Sequence, residues 1–188
     1  MSNSEVRSAE RTVAESQSEM TEVIMPNDTN MMGTLMGGRL TQLIDIAGGI
    51  AASRHARSYI VTASMDQIDF IAPVHLGDQL TLKSSVNRAF GSSMEVGVKI
   101  WTGQPRTGVI EHVASAYLVV VAIDEFGRLK KVPPIKPETP NEIRRYEDAL
   151  SRREHRERER ARRKAARQAL RDQAAALAAA SPAQGASK

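Results

Sequence analysis

Between Gly38 and Ala56 the chain carries Leu40, Leu43, Ile44, Ala47 and Ala51 at the spacing of one helix face, and no charged stripe opposes them. A surface helix keeps its charges on the side away from the core. A helix without such a side has to be wrapped by other structure. The residues that follow read as the wrapping. Residues 59–65 and the Ile-Asp-Phe-Ile after them are rich in β-branched and aromatic side chains, and that strand is expected to run until Pro73 and the Gly77-Asp78 turn. Leu80, Leu82, Ser84 and Val86 alternate with Thr81, Lys83, Ser85 and Asn87, and Met94, Val96, Val98 and Ile100 with Glu95, Gly97, Lys99 and Trp101. Residues 112–123 are apolar on both faces in their second half, as in a central strand covered on both sides. A further strand is expected at 20–25, ended by Pro26. Strands joined by loops this short are mostly antiparallel. The expected fold class is α+β: a curled antiparallel sheet wrapped round one long central helix and burying every side of it.

The ends differ from this core. Residues 1–19 are polar, with Val6 and Val13 the only sizeable apolar side chains, and are expected to form a flexible arm. The folded domain is expected over 20–140, left through the proline-rich segment of Pro133, Pro134, Pro137 and Pro140. Residues 141–188 are rich in Arg, Glu and Ala and are expected to be a charged helical extension, frayed at its Ala-rich end. Residues 1–140 carry 13 Lys or Arg against 15 Asp or Glu, while 141–188 carry 13 against 7. The domain is therefore at −2 and the extension at +6, so the overall charge of +4 describes the extension and is no argument for a nucleic-acid partner of the domain. The bases of the extension are interleaved with acids and no aromatic residue accompanies them over 152–171, so nucleic acid is not the expected partner. The absence of cysteine excludes disulfides, Cys-zinc sites, iron–sulfur clusters and a thiol nucleophile. No apolar run approaches a membrane span, and the N-terminus lacks the apolar stretch of a signal peptide. A cytoplasmic protein is expected.

Asp45 lies inside the apolar helix. At ~100° per residue it shares a face with Thr41, Gly48, Gly49 and Ala52. Two adjacent helical glycines each cost about 1 kcal/mol relative to alanine, so a close approach by another backbone or a ligand has to offset them. Two arrangements meet this pattern: a helix or subunit contact with a hydrogen-bonded Asp, or a catalytic carboxylate facing a slot. Gly37 and Gly38 lie where the helix begins, where unpaired N–H groups suit an anion or a developing oxyanion, although a tight turn also accounts for them. Asn30 in the preceding loop fits an Asx turn. His55 is expected to favour the negative end of the helix dipole, and His75 to be solvated. No His pair has metal-ligand spacing, so no metal is expected. There is no Gly-x-Ser-x-Gly elbow, P-loop or dinucleotide fingerprint.

Three stretches taken together, NDTNMMGTLMGGRLTQLIDIAGGIAASRH (27–55), IVTASMDQIDFIAPVHLGDQL (60–80) and FGSSMEVGVKIW (90–101), resemble the acyl-CoA thioesterases of the hot dog fold, in the branch of the broad-range bacterial and brain-type acyl-CoA hydrolases. The resemblance extends over about residues 20–150. It implies hydrolysis of an acyl-CoA thioester to fatty acid and CoA, with no cofactor. Asn30 and Asp45 would form the catalytic pair, contributed by opposite subunits, with Asp45 as general base or nucleophile. Asn30 would orient water or the carbonyl, and the N–H near Gly38 would stabilise the oxyanion. Gly37 would sit beside the substrate, where many members carry His or Phe before the Gly-Gly pair and this chain carries Met36. Ser92, Ser93 and Met94 would lie near the pantetheine arm. The CoA phosphates call for cations, for which Arg54, Arg57, Arg88, Lys130, Lys131 and Lys136 are the candidates. One motif set in one chain implies a homodimer as the minimal unit, and the resemblance implies a homohexamer built as a trimer of dimers. The alternative is a non-catalytic acyl-CoA sensor, although the first 19 residues are too short for a DNA-binding module. A hot dog dehydratase would need a His near the helix start, and none precedes Gly37.

Overall fold

The computed structural model describes residues 9–180, with side chains of the last helix described to Ala174. The chain divides after Glu147 into two units. The first contains a five-stranded sheet in the order β2-β4-β5-β6-β3, formed by β2 (Ser18–Val23), β4 (Gln79–Phe90), β5 (Ser93–Gly103), β6 (Ile110–Ile123) and β3 (Tyr59–Met65). Every pairing in it is antiparallel. One helix, α2 (Gly37–Ala56), precedes β3 and packs on the sheet. The α+β architecture of one long helix held by a curled antiparallel sheet is thus as the sequence predicts.

The sequence explains the main features. Alternation in β4 and β5 puts Leu80, Leu82, Val86, Met94, Val96, Val98 and Ile100 into the core, each at most 1% exposed. Gly91, at φ 77°, closes the β4–β5 hairpin in a left-handed conformation that costs glycine little. The helix packs by its apolar face, with Leu40, Leu43, Ile44, Ala47 and Ala51 buried. A Cβ on Gly48 would stand 3.0 Å from a methyl of Leu118 in β6, and one on Gly49 would stand 3.5 Å from a methyl of Ile60 in β3. Gly48 therefore lets α2 lie close on the sheet, which offsets its low helix propensity, while a Cβ on Gly49 would make only an ordinary contact.

Four expectations are corrected. The helix is not covered on every side: Ile46 and Ile50 are 43% and 38% exposed, because the sheet wraps only the other faces. The strand expected from residue 59 to Pro73 stops at Met65, after a bulge between Thr62 and Ser64. Beyond it, isolated bonds from Asp66 N to Tyr117 O and from Ile71 N to Val113 O hold the chain against β6. The arm expected over 1–19 is folded from Arg11 onward. There β1 (Arg11–Thr12) pairs in parallel with β7 (Ile135–Lys136), and α1 (Val13–Ser16) buries Val13 and Ser16. The Ser16 hydroxyl accepts from Val86 N at 3.0 Å, so hydrogen bonding to β4 and β7 supplies what the arm's sparse apolar content does not. Val6 and the final residues 181–188 lie outside the described residues. His55 is fully buried in the last turn of α2, its Nε2 2.8 Å from Pro133 O, and burial lowers its pKa. Burial favours the neutral ring, so the charge–dipole role expected at the helix end does not account for His55.

The helix α3 (Pro140–Ala180) starts with Thr139 and Glu142 in a reciprocal cap. Glu142 Oε2 accepts from Thr139 N at 3.0 Å, Thr139 Oγ1 accepts from Glu142 N at 3.3 Å, and Pro140 opens the first turn. In the second unit, pairs such as Arg153–Glu157 at 2.8 Å line the helix four residues apart. Among the described residues no helix is long and apolar enough to cross a membrane.

Candidate active site

Asp45 is exposed on the side of α2 that the sheet leaves open. The face that helical spacing assigns to it is split in the structure: Gly48 and Ala52 are buried against the sheet, Gly49 is half-buried, and the carboxylate stands at the rim. Its Oδ1 accepts a 2.6 Å hydrogen bond from the Thr62 hydroxyl of β3. Thr62 lies immediately before the bulge in β3, on the same side of the strand as Ile60, which packs on α2. One carboxylate oxygen is thus fixed by the sheet.

Asn30 sits in the loop before α2 and closes it on itself. Its Oδ1 accepts from Met32 N at 2.9 Å and from Thr34 N at 3.3 Å, and its Nδ2 lies 2.9 Å from Thr34 Oγ1. This is the Asx turn that the residue type suggests. The loop's Met31 and Met32 are 103% and 84% exposed. Within one chain Asn30 and Asp45 are not hydrogen-bonded to each other. Asp45 is eight residues beyond Gly37, roughly 12 Å further along the helix axis.

At the helix start, Met36 caps without a side-chain bond, and the first intrahelical bond runs from Leu40 N to Met36 O at 3.1 Å. The N–H groups of Gly37 and Gly38 therefore precede the helical ladder. Beside Gly38 there is open space where a Cβ would be, so a ligand can reach this backbone. Beside Gly37 the ring of Phe70 lies 3.5 Å from that position.

The other candidates are scattered. Met94 is fully buried in the core and offers no surface to a ligand, because its place in the β5 alternation points it at α2. Ser92 and Ser93 are half-buried at the turn of the β4–β5 hairpin, where Phe90 pairs with Ser93. Arg88 is engaged within the chain: its guanidinium lies 4.0 Å from the Tyr146 ring and donates to Tyr146 O. Arg54 donates to Gln17 O, and Lys136 pairs with Glu138 at 3.3 Å. Arg57, Lys130 and Lys131 are exposed. Among the described residues no group of three His, Cys, Asp or Glu side chains is placed to hold a metal.

A family model for the Thioesterase superfamily matches residues 32–109, from the loop before α2 to the β5–β6 turn. A Bacillus subtilis protein named as an uncharacterized acyl-CoA thioester hydrolase, YkhA, is 41% identical over 76% of this chain and 83% of its own. This chain belongs to the acyl-CoA thioester hydrolases of the hot dog fold. A hexameric acyl-CoA thioesterase, solved without ligand, matches at 36% identity and a TM-score of 0.78, over 80% of this chain and 97% of its own. The Staphylococcus aureus acyl-CoA hydrolase, solved with butyryl-CoA and CoA, matches at 36% identity and a TM-score of 0.77, over 87% of this chain and 98% of its own. That hydrolase has also been solved with an Asn at its position 28, an Asp at 43 and a Thr at 60 each replaced by alanine. Those positions are 15 and 17 residues apart, the separations of Asn30, Asp45 and Thr62 here. Thr62, which the sequence did not single out, is the residue that the structure joins to Asp45. In an alternating strand a threonine is the expected β-former, and only the contact with Asp45 distinguishes it.

Proposed function

We propose that the chain hydrolyses acyl-CoA thioesters, with Asp45 and Asn30 acting together at a site shared by two copies of the chain. The observation that carries the reading is Asp45 itself. It is the one carboxylate of α2, exposed, fixed through one oxygen by Thr62, and it stands beside surface that no other described residue covers. Ile46 and Ile50 of α2 are 43% and 38% exposed there, and β3 is one of the two edges of the sheet. An uncovered apolar face next to an open strand edge suits a second copy related by a two-fold axis. Such a copy would bring its own loop, with Asn30, toward Asp45. The hexameric relative supports three such dimers as the full assembly.

In this reading the Asp45 oxygen left free by Thr62 takes a proton from water as the water oxygen attacks the thioester carbonyl. Asn30 holds the water or the carbonyl, and the N–H groups of Gly37 and Gly38 stabilise the oxyanion. The carbon–sulfur bond then breaks, and the CoA sulfur takes back the proton held by Asp45. Direct attack by Asp45, through an anhydride that water cleaves, uses the same groups. Neither route needs a cofactor. Ser92, Ser93, Arg57, Lys130 and Lys131 are the candidates for contact with CoA, whose phosphates require cations. The test is hydrolysis of short, medium and long acyl-CoAs by the wild type and by Asp45→Asn. Wild-type turnover falling at least 100-fold in the variant, with CoA still bound, is expected. Near-native turnover in the variant would make Asp45 structural.

A further inference from the structure

Asp28 occupies a junction that the catalytic reading leaves unused. It ends a short 3-10 turn, Pro26–Asp28, at the base of the loop that carries Asn30. Its Oδ2 accepts from Met25 N at 3.0 Å, and its backbone O accepts from Met36 N at 2.9 Å. One residue thus ties both feet of the loop together. Its remaining oxygen, Oδ1, accepts from Arg39 Nε at 2.7 Å. Arg39 belongs to the first turn of α2, next to Gly37 and Gly38, and its Nη1 also donates to Gln42 Oε1 at 2.9 Å. The pair is well shielded, with side chains 16% exposed for Asp28 and 28% for Arg39. Above this base the loop is closed by the Thr29–Leu35 bridge and by the Asn30–Thr34 bonds.

We infer that Asp28 and Arg39 are a positioning pair that fixes the Asn30 loop to the helix turn presenting the Gly37 and Gly38 N–H groups. The inference rests on the thioesterase reading of this site. An isolated surface ion pair contributes little to stability, about 0–1 kcal/mol. This one is different in kind, because it joins two segments that hold two sets of reacting-group contacts, and a displacement of ~1 Å at such a place costs about 100-fold in rate. The carboxylate is also held below its ordinary pKa by Met25 N–H and by the Arg39 guanidinium, against the opposing effect of burial.

The experiment is a double-mutant cycle on acyl-CoA hydrolysis with Asp28→Ala, Arg39→Ala and the double variant, reading kcat and KM separately, with thermal unfolding and CoA affinity measured on each protein. Each single variant is expected to lose about 10- to 100-fold in kcat, with KM and CoA affinity within about threefold of wild type. The double variant is expected to lose no more than the worse single one, because the two side chains act as one unit. Three results overturn the pair's role: kcat within threefold of wild type in both single variants, losses that multiply in the double variant, or losses that track a fall in folded protein. Asp28→Asn guards against a folding defect, since it keeps an acceptor for Met25 N–H and removes only the charge; it too must lose kcat. If the wild type hydrolyses no acyl-CoA, the thioesterase reading fails and the pair's role falls with it. If the wild type is active and the variants are unimpaired, only the positioning role fails.

Discussion

Thr62 shows what one hydrogen bond does for a carboxylate on an open helix face. Exposed, Asp45 would sample its rotamers freely; bonded to Thr62 at 2.6 Å, it presents one chosen oxygen outward. Thr62→Val keeps the shape of the side chain and removes the donor. A hydrogen bond to a charged group is worth about 1.5–3 kcal/mol, so kcat should fall roughly 10- to 100-fold while CoA affinity holds, measured by steady-state hydrolysis and calorimetry. Unchanged kcat would make the contact incidental. Asp45 was legible in the sequence because a lone carboxylate in an apolar helix breaks a pattern. Asn30 was legible only through the resemblance, since its local bonds are those of any Asx turn. Thr62 was not legible, because a threonine in a strand breaks nothing and its partner is 17 residues away.

At the level of elements, α2 and the proline-rich exit segment meet at His55. The apolar spacing of α2 foretold its existence and its buried face, and alternation foretold β4 and β5. The packing of the first ordered segment was hidden, because it depends on backbone pairing with β7, more than 120 residues away in sequence, and on hydroxyl bonds such as that of Ser16. His55 was hidden for the same reason: Pro133 and Arg11, whose guanidinium donates to the His55 carbonyl, come from opposite ends of the domain. Burial lowers the His55 pKa, the Pro133 carbonyl opposes this, Arg11 adds to it and Glu15 opposes it. The unfolded chain therefore takes up a proton near the ordinary value of 6.5 while the folded chain resists it. That contribution to stability is complete above pH 6.5 and is lost as pH falls from there through the folded pKa. The melting temperature should decline between pH 7 and 5, and His55→Gln should flatten that decline. An identical slope in the variant would mean that other groups set it. Asp28 and Asp124, also lowered, act with the same sign only below about 3.8, so the windows do not overlap at their upper ends.

For the whole molecule, the charge division between residues 1–140 and 141–188 is visible in the sequence, while the first compact unit runs on to Glu147, where Arg88 packs on Tyr146. What one sequence could not display is the surface that a single chain leaves bare: the open side of α2, the β3 edge and the two exposed methionines of the Asn30 loop. Asn30 and Asp45, not bonded to each other within one chain, lie in this uncovered region. Either two copies complete each other's sites or the pair does not act together, and complementation decides. Asn30→Ala and Asp45→Asn proteins, each inactive alone, are mixed under conditions of subunit exchange, with exchange followed by native mass spectrometry. A mixed dimer has one site with both residues changed and one with both intact. Random mixing makes about half of the dimers mixed, so roughly a quarter of wild-type activity should return. Confirmed exchange with no return of activity would contradict the shared site and place both residues in the service of a single subunit.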